Sequence, residues 1–145
     1  GVELTKEYFS KFLKSIDCYI MGSRTYEHAV ELGWPYGEVP VFVLTERELE
    51  SDKKSVKFIS GDLSKVVNDQ LKNQHKNIWM VGGTMLTKEF IRLGLADEIN
   101  NTIIKILLGE GTLFFDYIGK EIPLHLKDVT AFKDGMVEMV YEIKK

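Results

Sequence analysis

Two segments of this chain each run from apolar residues into glycine and straight on into a helix start. The first is Tyr19-Ile20-Met21-Gly22-Ser23-Arg24-Thr25-Tyr26-Glu27; the second is Ile78-Trp79-Met80-Val81-Gly82-Gly83-Thr84-Met85-Leu86. Each pattern predicts a strand that turns sharply into a helix. Such a turn presents the unpaired N–H groups of the helix N-terminus, which attract anions such as phosphate. One turn of this kind is weak evidence, because a tight strand-to-helix turn explains it equally well. Two of them in a chain of 145 residues suggest a ligand with several phosphates.

The residues around these turns alternate between helix and strand patterns. Thr5 is placed to cap a first helix, with Tyr8, Phe9, Phe12, Leu13 and Ile16 on its apolar stripe. Residues 17–21 read as a buried strand, and Ser23 as the cap of a helix running to about Leu32. Gly33, Pro35 and Gly37 break that helix, and Pro40 opens a strand over residues 41–44. The mixed charges of residues 45–54 read as a solvated loop. A short strand at 56–59 follows, then a helix capped by Asp62 with Leu63, Val66, Val67 and Leu71 on one face. Residues 77–81 form a strand, and a helix from Thr84 ends before Gly94. This alternation predicts a mostly parallel central sheet with helices on both faces.

The final third differs. Residues 98–108 read as one long strand, and residues 124–132 and 136–143 as two more, joined by a hairpin turn at Lys133-Asp134-Gly135. Val137, Met139, Tyr141 and Ile143 alternate with Glu138, Val140 and Glu142, the mark of a half-buried antiparallel strand. The expected architecture is a single α/β domain spanning residues 1–145, its parallel body completed by an antiparallel C-terminal hairpin.

Composition narrows the function. The net charge of −3 argues against a nucleic-acid-binding face. No apolar run approaches the roughly 20 residues of a membrane span, and no signal peptide is visible. Cys18 is the sole cysteine, so no internal disulfide can form; its apolar neighbours predict a buried, reduced thiol, and cytoplasm is the simplest location. His28, His75 and His125 show no metal-ligand spacing, with each other or with Cys18, and no metal site is expected.

Met21 to Glu27, Val43 to Arg47 and Val81 to Leu86 resemble the three cofactor motifs of the dihydrofolate reductase superfamily. Gly94-Leu95-Ala96-Asp97-Glu98, Leu108-Gly109-Glu110-Gly111 and Leu113-Phe114-Phe115 resemble the reductase domain of riboflavin biosynthesis, the RibD C-terminal domain. The resemblance spans nearly the whole chain and implies the dihydrofolate reductase-like three-layer fold. It further implies hydride transfer from NADPH to a pyrimidine or pterin-like ring, as in 5-amino-6-(5-phosphoribosylamino)uracil reductase, and assembly as a homodimer. By match, Gly22, Ser23, Arg24 and Thr25 lie on the cofactor pyrophosphate, and Leu44, Thr45, Glu46 and Arg47 border the adenosine ribose. Val81, Gly82, Gly83, Thr84, Met85 and Leu86 form the second glycine turn. There the family often has a cis Gly-Gly bond, and Thr84 caps the helix and can bond a phosphate. Arg24 and Arg47 are the candidates for the 2′-phosphate.

The chain also departs from the folate-reductase pattern. Ser23 and Met85 stand where basic residues are usual, and Glu46 faces the expected 2′-phosphate. A carboxylate there favours the ribose hydroxyls of NADH, which keeps NADH as an alternative cofactor. The catalytic carboxylate of folate reductases matches Lys6, with Glu7 adjacent and Glu3 one turn earlier, so no catalytic acid is identified. The family's first strand and the loop after it have no counterpart here. True dihydrofolate reduction, and a nucleotide-binding module without turnover, both stay open.

Plainer readings also stand. Arg24 and Arg47 are read equally well as surface residues, Trp79 as core, and Trp34, Pro35 and Tyr36 as a packed corner. His28 is expected on the surface. Leu107, Leu108, Leu113, Phe114 and Phe115 are too apolar for open solvent and belong either to the core or to a dimer seam.

Overall fold

A computed structural model describes Glu3 and residues 6–145; the predicted Thr5 cap lies outside them. Helix α1 (Lys6–Lys14) leads into β1 (Cys18–Gly22), α2 (Ser23–Glu31), β2 (Val41–Leu44) and β3 (Val56–Ile59). A helical stretch follows in three parts: α3 (Leu63–Lys65), a π-helical segment (Val66–Leu71) and α4 (Lys72–Gln74). Then come β4 (Ile78–Gly82), α5 (Thr84–Arg92), β5 (Glu98–Ile103), β6 (Leu124–Ala131) and β7 (Val137–Ile143).

The strands form two sheets. The first is parallel, in the order β3-β2-β1-β4; the second is antiparallel, in the order β5-β7-β6. Their separation refines the expectation of one central sheet with a hairpin appended. The strand expected over residues 98–108 stops at Ile103, because its last pairing is with Val137, the first residue of β7. Beyond that point there is no ladder to join.

The parallel sheet is covered on both faces, which is why its strands are apolar rather than alternating, except for exposed Lys57 on edge strand β3. One face carries Cys18, Ile20 and Phe42 against Val66, Val67, Leu71, Phe90 and Leu95. The other carries Tyr19, Met21, Val41 and Val43 against Tyr26, with Ile16, Trp34, Tyr36 and Trp79 beside them. Asp62 caps the α3 stretch as expected, its Oδ1 accepting from the Lys65 N–H at 3.0 Å. Trp34 packs edge-on to Tyr26 and Tyr36, and its indole N–H donates to the Gly37 carbonyl at 3.0 Å, so residues 34–37 are a packed corner.

Helix α1 reaches both sheets. Phe12 meets Trp79 of β4 at 5.0 Å between ring centres, and Tyr8 meets Phe132, beyond β6, at 5.4 Å. The Tyr8 hydroxyl also donates to Glu138 of β7 at 3.2 Å. The entrance to β4 is fixed by Asp17, whose Oδ2 accepts from the N–H groups of Lys76 and Asn77 at 3.0 and 2.7 Å.

Those two amide bonds hold the Asp17 carboxyl below its usual value. A depressed folded pKa means that this link stabilises the fold above the unfolded value of about 3.9, and that the contribution disappears as pH falls through the folded value. Asp17→Asn is therefore expected to flatten the acid limb of stability, measured as urea midpoint against pH, while changing little of the pH dependence near neutrality.

Candidate cofactor site

The sheet register brings the three sequence motifs to one end. In the parallel ladder Gly22 pairs with Leu44, and Met21 with Gly82, so the carboxyl ends of β1, β2 and β4 lie side by side. The chain moves from β1 to β2 and β3 on one side and returns to place β4 on the other. The crevice at such a reversal is where ligands bind in open α/β sheets. Both glycine turns lie at that end of the sheet.

The two turns lie against each other. A Cβ on Gly83 would come within 3.7 Å of the Thr25 hydroxyl, and one on Gly22 within 3.9 Å of the Gly82 carbonyl. The Gly82–Gly83 peptide is cis, as the resemblance implied, and Gly82 has φ +132°. Helices α2 and α5 start immediately beyond, with Gly22 and Gly83 as their N-caps and no side chain capping either start. This corrects the expected caps. Ser23 and Thr84 are the first helical residues, one position too late to fold back on the free N–H groups. The Thr84 hydroxyl instead donates to the Leu113 carbonyl at 2.8 Å, and Thr87 reaches back to the Gly83 carbonyl at 2.9 Å.

The remaining motif residues divide. Val81 and Leu86 send their side chains into the two cores, whereas Met85 is exposed. After β2, the Thr45 N–H donates to Ile59, and the Arg47 N–H to the Thr45 hydroxyl at 3.0 Å, a local turn that fixes residues 45–47 beside α2. Glu46 is exposed. Arg47 is anchored: its guanidinium donates to both carboxylate oxygens of Glu27, at 2.8 and 3.3 Å, and to the Ser23 hydroxyl at 3.4 Å. Sequence reading did not find Glu27 as Arg47's partner. Arg24 makes no direct ion pair among the described residues.

Other candidates fall outside the site. Trp79 packs against Phe12 and Tyr19, as core. His28 is exposed, and His75 lies edge-on to Phe42. Burial pushes the Cys18 thiol up to about 12, an inert group at neutral pH. Among the described residues no cluster of His, Cys, Asp and Glu could hold a metal ion, and no helix is long and apolar enough to cross a membrane. An apolar cavity of about 560 Å³ lies between Ile91, Ile99, Leu124 and the loop carrying Phe115 and Tyr117; no glycine-turn residue lines it. Leu107, Leu108, Leu113, Phe114 and Phe115 are all exposed, which removes the core reading for them.

A parallel sheet with two glycine turns at its reversal, followed by an antiparallel sheet, defines a dihydrofolate reductase-like α/β protein. Within that class the chain belongs to the RibD C-terminal domain family, whose profile matches residues 19–138. It is 30% identical over 151 residues to the uncharacterized protein YyaP of Bacillus subtilis (strain 168), covering 92% of this chain and 77% of that protein. It is 31% identical over 126 residues to the uncharacterized protein YwjB of the same organism, covering 86% and 72%. Solved structures share the fold. A Shewanella sp. PV-4 protein named for riboflavin biosynthesis superposes with TM-score 0.84 at 23% identity, over 97% of this chain and 81% of that one. A pyrimidine reductase-like protein of Corynebacterium diphtheriae gives 0.66 at 14% identity, over 98% and 83%. Acinetobacter baumannii RibD gives 0.66 at 12% identity, over all of this chain and 52% of that one.

The backbone at the site makes a direct prediction. A side chain at φ +132° is strained, so Gly82→Ala is expected to cost about 1–3 kcal/mol of stability. Gly22 has φ −83°, which any residue adopts, so Gly22→Ala is expected to lose only the N-cap preference of glycine over alanine and to cost less than Gly82→Ala in the same urea titration.

Proposed function

We propose that this protein is an NADPH-dependent reductase that delivers hydride to a pyrimidine or pterin-like ring, in the manner of 5-amino-6-(5-phosphoribosylamino)uracil reductase. The observation that carries the reading is the meeting of two uncapped helix starts at the reversal of a parallel sheet, in a chain of the RibD C-terminal family. The names of the Shewanella, Corynebacterium and Acinetobacter structures agree with it.

The residues present fit a dinucleotide. The free N–H groups of Ser23, Arg24 and Thr25 on α2, and of Thr84 and Met85 on α5, suit a pyrophosphate bridging the two turns. Gly83, packed against the Thr25 hydroxyl, leaves the backbone bare for close approach. Residues 44–47 border the ribose, where the exposed guanidinium groups of Arg24 and Arg47 suit the 2′-phosphate of NADPH. Glu46 is the group that would accept the ribose hydroxyls of NADH. When bound, the cofactor supplies the hydride; the chain supplies orientation and the exclusion of water.

Two further parts of the proposal concern setting and assembly. The protein acts in the cytoplasm, consistent with a buried thiol and no disulfide. It works as a homodimer, because Leu107 and Leu108 are 99% and 73% exposed and Leu113, Phe114 and Tyr117 lie on the same loop. That much exposed apolar surface marks an interaction site. Sedimentation is expected to report a dimer, converted to monomer by the double change Leu107→Glu and Leu108→Glu; a wild-type monomer at micromolar concentration would contradict this part.

The functional test is turnover. With NADPH, the protein is expected to reduce 5-amino-6-(5-phosphoribosylamino)uracil or a close pyrimidine analogue, followed by loss of NADPH absorbance. Turnover of dihydrofolate in its place would establish folate reduction. Saturable cofactor binding with no oxidation by either ring would establish the binding-module reading.

A further inference from the structure

The 2′-phosphate end of the proposed site already contains an anion. Glu27 lies on α2, one helical turn beyond Ser23, and its carboxylate closes the Arg47 fork at 2.8 and 3.3 Å. The same Nη1 of Arg47 reaches the Ser23 hydroxyl at 3.4 Å, so Glu27, Arg47 and the first residue of α2 form one cluster. Arg24, on the same helix, makes no direct ion pair among the described residues. The Arg47 hydrogen bond first, and then the charges of Arg47 and Arg24, hold the Glu27 carboxyl below its usual range. It is therefore ionised at neutral pH, within the field of both candidate phosphate ligands.

A guanidinium presents a limited fork, and a carboxylate that takes both of its parallel N–H groups competes with any second dianion. The pair is open to solvent, with 52% and 46% of the two side chains exposed, so its partners exchange readily. Resting on the NADPH reading above, we infer that Glu27 is a specificity-determining residue. It competes with the 2′-phosphate for Arg47 and so weakens the preference for NADPH over NADH. NADH, which has ribose hydroxyls at that position, meets no such competition and keeps the Glu27–Arg47 pair intact.

The opposite role has the opposite sign. If Glu27 merely held Arg47 in place for the phosphate, its removal would weaken NADPH binding. The test is to titrate wild type and Glu27→Gln with NADPH and with NADH, following the intrinsic fluorescence of Trp34 and Trp79, at low and moderate salt. Glu27→Gln is expected to tighten NADPH about threefold to fivefold, more at low salt, and to leave NADH within about twofold. The gain is expected to vanish in an Arg47→Gln background, which a general change in surface charge would not produce. Unchanged or weaker NADPH binding by Glu27→Gln, with NADH binding retained, overturns the inference alone. Failure of folded wild-type protein to bind either nucleotide overturns the reductase reading and this inference with it.

Discussion

The parallel register of β1 between β2 and β4 is the constraint on which everything else depends. It places Gly22 opposite Leu44 and Met21 opposite Gly82, so three segments far apart in sequence end at the same edge. The apolar side chains that hold this register are among the most buried in the chain: Cys18, Ile20, Met21, Val41 and Val43 are fully covered. A slip of one residue would turn each of them to the opposite face and separate the glycine turns. The core therefore does more than stabilise. It brings two helix N-termini to one end of the sheet, and neither helix carries a side chain that caps its own free amides.

Electrostatics at that crevice are graded. At the sheet edge the groups are neutral backbone N–H donors and hydroxyls, suited to a pyrophosphate. Farther out stand Arg24, Arg47 and Glu27, the groups on which the proposed choice between a ribose phosphate and a ribose hydroxyl would turn. Exposed ion pairs contribute little to folding, so the Glu27–Arg47 pair has little structural reason to be there.

Much of this was legible in the sequence, and the exceptions have physical causes. The alternation of helix and strand patterns gave the parallel body, and the Lys133-Asp134-Gly135 turn gave the β6–β7 hairpin. The helix caps were misplaced by one residue. A hydroxyl after glycine looks the same in sequence whether the glycine or the hydroxyl residue holds the extended cap conformation, and here Gly22 and Gly83 hold it. Residues 104–108 look like strand because they are apolar, but pairing is a property of the partner, and β7 begins at Val137. The division into two sheets was hidden for the same reason. The Glu27–Arg47 pair joins residues 20 positions apart on different elements, which no helical or strand periodicity reports. The glycine turns themselves were found because the pattern of apolar run, glycine and helix start is local in sequence and occurs twice.

The central claim is that both helix starts hold one dinucleotide. An amide NMR titration of the folded protein with NADPH tests it most directly. The account predicts saturable shifts concentrated at Ser23, Arg24 and Thr25 and, with the same dissociation constant, at Gly83, Thr84 and Met85. Shifts confined to one turn, two unequal constants, or no response from either turn would contradict it.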